Sequence, residues 1–152
     1  MKRKTKHRLL LAAILLLCLL LAGLAAWAVS EYRSAPRTSQ EIYASNWGLS
    51  IPSGCEELYQ KKDPVSFHGD GRQFTVYSVP DLQSDFFSGF SSERNSELEA
   101  AVQSLLTGLE VPEDKWPDVS QCQWKALQKY YNRLYLLLDE ERAELYLIER
   151  LA

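Results

Sequence analysis

Three hydrophobic rhythms follow one another along the chain. From Leu9 to Val29 the run LLLAAILLLCLLLAGLAAWAV holds 21 residues with no charged side chain. At about 1.5 Å of rise per residue such a helix reaches roughly 31 Å, the hydrocarbon thickness of a bilayer. The run therefore predicts a transmembrane helix. Leu9, Leu10, Leu11, Ile14, Leu15, Leu16, Leu17, Leu19, Leu20, Leu21 and Leu24 meet lipid in this reading, and Trp27 sits at the interface.

Beyond the run the period falls to two. Trp47 to Pro52 alternates with Leu49 and Ile51 on one side, and Cys55 to Lys62 reads as a strand with Leu58 inward and Tyr59 opposite. Asp63-Pro64 ends it. Arg72 to Val79 alternates most cleanly: Phe74, Val76 and Ser78 share one face, Thr75, Tyr77 and Val79 the other. Between these strands Gly69, Asp70 and Gly71 form the predicted hairpin turn, Asp-Gly being the dipeptide of a tight type I′ turn. Phe86, Phe87 and Phe90 then read as a lid on the core.

The third rhythm is helical. Leu98, Ala101, Val102, Leu105, Leu106 and Leu109 form one stripe, with Glu93, Glu97 and Glu99 at the positive end, Gly108 as the left-handed cap and Pro112 beyond. Its polar face carries acids, so it packs on protein rather than on a membrane. Trp116 plugs the edge of the core, and Asp118 or Ser120 caps a short helix through Leu127. The ending reads as a hairpin. Leu134, Leu136 and Leu138 lie on one face, Tyr135 and Leu137 on the other, and a four-residue turn leads to a partner strand. Glu140 to Leu147 contains good helix formers, so pairing has to override propensity there. The sum is an α+β domain: a small antiparallel sheet with one main packing helix behind a single transmembrane helix.

Charge orients this arrangement. Lys2, Arg3, Lys4, Lys6 and Arg8 precede the apolar run without an acid, while the rest of the chain holds all 20 acids against 12 bases, a net of −8. Positive residues stay inside. Residues 1–8 are then a cytoplasmic tail, 9–29 the span, 30–46 a juxtamembrane linker and 47–152 an extracytoplasmic domain. The same features also describe a cleavable signal peptide, since Ala26-Trp27-Ala28 fits the small-x-small rule and cleavage there would release a secreted domain. The apolar run exceeds the usual 7–15 residues of a signal core, which favours the uncleaved anchor. Cys18 as a lipidated cysteine is a minor third reading, because Leu17 before it is bulky. The acidic balance disfavours nucleic acid, whose phosphates call for Lys and Arg. Cys55 and Cys122 could pair in an exported domain, but their spacing carries no signature.

Little in the chain points to catalysis. His68 with Asp70 is the single local acid/base pair, and an exported hydrolase would have to use it; flanking Gly69 and Gly71 make a turn the simpler account. No metal, cofactor or nucleophile motif is present. Tyr130, Tyr131, Tyr135 and Tyr146 gather on the C-terminal strands. With Tyr77, the set Tyr77, Tyr131, Tyr135 and Tyr146 marks a binding face on the side of the sheet that the helix leaves open. The reading is thus a non-catalytic domain held at the bilayer to bind a protein or peptide.

The order of these pieces resembles a group of uncharacterised small exported or membrane-anchored proteins of Gram-positive gut bacteria. The resemblance is carried by Ile51-Pro52 with small residues after it, the strand ending near Tyr59 and the Phe67 to Gly71 turn. Phe74-Thr75-Val76-Tyr77, Trp116 in a helical middle and the Leu- and Tyr-rich terminal hairpin complete it. It spans most of residues 47–150 and implies an antiparallel α+β domain behind one anchor. It brings no activity.

Overall fold

The computed structural model describes residues 2–34, 38–64 and 70–152, with the side chains of the first helix described over 14–30. The chain divides into two compact units, Met1–Glu41 and Ile42–Ala152.

The first unit is built on helix α1 (Lys2–Ser34), 33 residues long. Its large apolar side chains from Ile14 to Val29 are between 50% and 66% exposed. Among the described residues no helix is long and apolar enough to cross a membrane. The expected linker at 30–46 is largely helical instead, with α2 at Ser39–Trp47. The cause is local: the Thr38 Oγ1 accepts from the Glu41 N–H at 3.2 Å, and the Glu41 carboxylate accepts from the Thr38 N–H at 2.9 Å. This reciprocal capping box satisfies two donors that a helix start leaves bare.

The second unit is a five-stranded antiparallel sheet with strands β1 (Glu57–Lys62), β2 (Gly71–Ser78), β3 (Gln123–Lys129), β4 (Asn132–Asp139) and β5 (Glu144–Leu151), ordered β1-β2-β5-β4-β3. Helix α3 (Ser96–Gly108) packs on one face through Leu98, Val102 and Leu106, against Phe74, Tyr135, Leu137, Tyr146 and Ile148. Asn95 caps it, its Oδ1 accepting from the Leu98 N–H at 3.0 Å. The other face is covered as well. Tyr43, Leu49, Ile51, Phe86, Phe87 and Phe90 close over Tyr77, Leu134, Leu136, Leu145 and Leu147. The α+β class, the cleanest strand, the main helix, the phenylalanine lid and the terminal hairpin all stand as expected.

Several expectations fail for local reasons. Leu58 is 54% exposed rather than inward. The register jumps from Glu57↔Tyr77 to Tyr59↔Val76, so Leu58 is the extra residue of a β-bulge and is turned out. The predicted helix through Leu127 is strand β3, whose Trp124 exchanges backbone hydrogen bonds with Ser91, both at 2.8 Å. Gly71 is already the first residue of β2, opposite Leu151, and takes no left-handed conformation, so Asp70-Gly71 is not a type I′ turn. Gly69 and His68 lie outside the described residues.

Gly108 is not the left-handed residue after α3; Glu110 is, with φ 52°. The glycine serves packing instead. A Cβ there would stand 2.0 Å from a terminal nitrogen of Arg72.

Candidate functional site at the basic end of the sheet

Antiparallel pairing gathers the strand ends into two groups of unlike charge. At one end stand Lys61, Lys62, Arg72, Lys129, Arg133 and Arg150; at the other stand Glu57, Asp139, Glu140, Glu141 and Glu144. The basic end also holds the connection between β3 and β4. Lys129 pairs with Asn132, which leaves Tyr130 and Tyr131 as a two-residue turn. Tyr130 has φ 58°. A left-handed residue with a Cβ costs about 1–2 kcal/mol, and a two-residue turn that is left-handed only at its first central position prefers glycine there. Here the turn carries two aromatic rings, 85% and 80% exposed.

A cleft of about 370 Å³ opens beside the turn, lined by Ser45, Asn46, Trp47, Lys129, Tyr130 and Asn132, among others. Its walls are fixed. The Lys129 Nζ donates to the Asn46 carbonyl at 3.2 Å, and the Asn132 Oδ1 accepts from the Ala152 N–H at 3.0 Å. Behind the cleft lies a buried polar cluster. Glu149 is 1% exposed and accepts a hydrogen bond from the Trp47 indole N–H, with the Asn46 side chain a second partner. Burial pushes its carboxyl above the ordinary glutamate value, and the Trp47 and Asn46 bonds only partly offset this. Next to it the Tyr43 hydroxyl and the Thr75 Oγ1 lie 3.0 Å apart, and the Gln73 amide donates to both at 3.3 Å. Burial raises the Tyr43 phenol far above its usual range.

On the α3 side of the same end, Arg72 is clamped by Asp63. Its Nε donates to Oδ2 at 2.7 Å, a terminal nitrogen donates to Oδ1 at 3.1 Å, and its backbone N–H reaches Oδ2 at 3.0 Å. The bonds from Arg72 hold the Asp63 carboxyl below its ordinary value. This pair fastens the ends of β1 and β2 where the type I′ turn was expected.

The expected tyrosine face does not exist as one surface. Tyr77 is 0%, Tyr135 7% and Tyr146 1% exposed, and Tyr77 lies on the face opposite the other two. The reason is that both faces of the sheet are covered. Tyr131 alone of that set is exposed, and Tyr130, its neighbour in the turn, joins it. Asp70 borders the cleft. Among the described residues no group of three His, Cys, Asp or Glu side chains is placed to hold a metal ion. Cys55 and Cys122 form no disulfide with each other and are buried on opposite faces of the sheet, and burial pushes the Cys122 thiol up to about 12. The chain matches no family model, and no curated protein or solved structure is significantly similar to it.

Proposed function

We propose that the chain is a single-pass membrane protein whose N-terminus is cytoplasmic and whose extracytoplasmic α+β domain binds a protein or peptide, without catalysis, through the Tyr130-Tyr131 turn and the cleft beside it. The observation that carries the binding reading is the turn itself. Two large aromatic rings are held in water on a backbone that glycine would relax, at a position where nothing in the core requires them. Lys129 and the cleft supply polar contacts around those rings. The anchor reading is supported by the charge-free run Leu9–Val29 behind five bases, and by the unburied apolar side chains of α1.

Two experiments test these halves. Expression in a Gram-positive host, with separation of membrane from medium and intact-mass analysis, should find a chain starting at Met1 or Lys2 in the membrane. A chain starting at Val29 in the medium would replace the anchor with a secreted domain. For binding, Tyr130→Gly with Tyr131→Asn in the full chain should abolish partner recovery from crosslinked membranes while leaving the domain folded. Unchanged recovery of the same partner removes the turn from the account.

A further inference from the structure

A second feature of the basic end lies on the α3 side and does not depend on the tyrosine turn. Arg133 of β4 stands directly opposite Arg150 of β5, and Arg150 stands opposite Arg72 of β2. By alternation these three share the face of Tyr135, Ile148 and Phe74, so they form a row of guanidinium groups across three adjacent strands. Arg72 is neutralised by Asp63. Arg133 and Arg150 have no carboxylate within ion-pair distance among the described residues, in a chain that carries 20 acids. Like charges directly opposite on a sheet destabilise it, so this bare pair is a local conflict that the packing does not explain.

The pair opens into a cleft of about 370 Å³, lined also by Ala101, Ser104, Leu105 and Tyr135. The Tyr135 ring is buried, but no buried side-chain oxygen or nitrogen lacks a partner among the described residues, and its hydroxyl makes no hydrogen bond to another described residue. That hydroxyl is therefore open to the cleft. The floor thus presents two guanidinium forks and two hydroxyls, with an apolar wall from Ala101 and Leu105.

We propose that this cleft binds a phosphate group. A carboxylate has two oxygens and is filled by one bidentate arginine, whereas two forks with added hydroxyls match the three or four oxygens of a phosphate. The apolar wall suits the organic part of a phosphate ester. Either a soluble phosphate or a phospholipid headgroup presents this chemistry.

The test uses the full chain in phosphatidylcholine nanodiscs. Inorganic phosphate is titrated calorimetrically, and co-sedimentation is measured with added vesicles of phosphatidylglycerol or of phosphatidylcholine. Arg133→Gln and Arg150→Gln are compared with Arg94→Gln, which removes an exposed arginine at the acidic end. Phosphate binding that weakens about tenfold or more in both cleft variants, and is unchanged in Arg94→Gln, supports the site with a soluble ligand. Binding to phosphatidylglycerol vesicles alone, with the same arginine dependence, supports it with a lipid headgroup. Absence of both, or equal loss in all three variants, overturns it. Loss of one charge from the bare pair relieves repulsion, so neither cleft variant is expected to melt below the parent chain.

Discussion

The two ends of the sheet use charge in opposite ways. At the acidic end the polar groups are engaged with one another. The Asp139 carboxylate accepts from the Arg142 N–H at 3.0 Å, the Gln123 amide donates to Glu140 at 2.9 Å, and the Tyr146 hydroxyl donates to Glu144. Arg94 is paired with Glu99 in the approach to α3. At the basic end Asp63 clamps Arg72, but Arg133 and Arg150 face each other bare, and Tyr130 and Tyr131 stand in water on a left-handed turn. One end uses its polar groups to close turns, and the other leaves Arg133, Arg150 and the two tyrosine rings of the turn outside its network. This difference is the ground on which binding is proposed for the basic end.

Breaking the acidic end should have the largest effect on stability. Asp139 is 6% exposed and its carboxylate holds the β4–β5 turn, so Asp139→Ala should destabilise by about 2 kcal/mol in chemical denaturation. A loss below a few tenths would show that the turn holds without it. The basic end should respond in the opposite direction. Tyr130→Gly with Tyr131→Asn puts glycine at the left-handed position of the turn and should raise stability by about 1 kcal/mol. A loss of similar size would mean that the rings serve folding, and the functional reading of the turn would fall.

Glu149 sharpens the contrast through pH. Its folded value lies above that of the unfolded chain, so its contribution is full below about pH 4 and is lost as pH rises through the raised value. Asp63 behaves inversely: its folded value is depressed, so its contribution is present above about pH 4 and is lost as pH falls through the depressed value. Glu149→Gln should therefore stabilise at neutral pH and not at pH 4, as read from thermal midpoints at both. An equal change at the two pH values would point to packing instead of charge. The smallest effect belongs to the bare arginines. Arg133→Gln should raise stability by a few tenths of a kcal/mol at low salt, and the gain should vanish in about 1 M salt, where screening acts within roughly 3 Å.

Much of the fold was legible in the sequence, and each failure has its own local cause. Helix α3 and strand β2 declared themselves because one face of each is buried by a regular period. The terminal hairpin was legible despite the helix-forming residues after Asp139. Leu58 misled because a bulge leaves no trace in composition, and the stretch from Asp118 or Ser120 through Leu127 misled because two glutamines and two lysines around Leu127 hide an edge strand. That error concealed the site as well: with β3 read as helix, Tyr130 and Tyr131 could not be seen as a turn. The arginine pair was missed because the turn before β5 was placed one residue early. The expected turn over 139–142 would set Arg133 opposite Ile148, whereas the observed turn over 140–143 sets Asp139 opposite Glu144 and Arg133 opposite Arg150. The buried tyrosines were misplaced for two reasons: Tyr135 and Tyr146 lie under α3, and Tyr77 lies under a cover assembled from Tyr43, Leu49, Ile51 and the phenylalanines, distant segments whose convergence no local pattern announces.

The most direct measurement places a photoreactive phenylalanine analogue at Tyr131 in one full-length protein and at Glu141, in the acidic-end turn, in another, each expressed in a Gram-positive host and irradiated in intact cells. A working basic end gives a discrete crosslinked species from position 131, lost when Tyr130 is also changed to Asn, and none from position 141. Equal crosslinking at both positions, or a species from position 141 alone, contradicts the assignment of binding to the basic end.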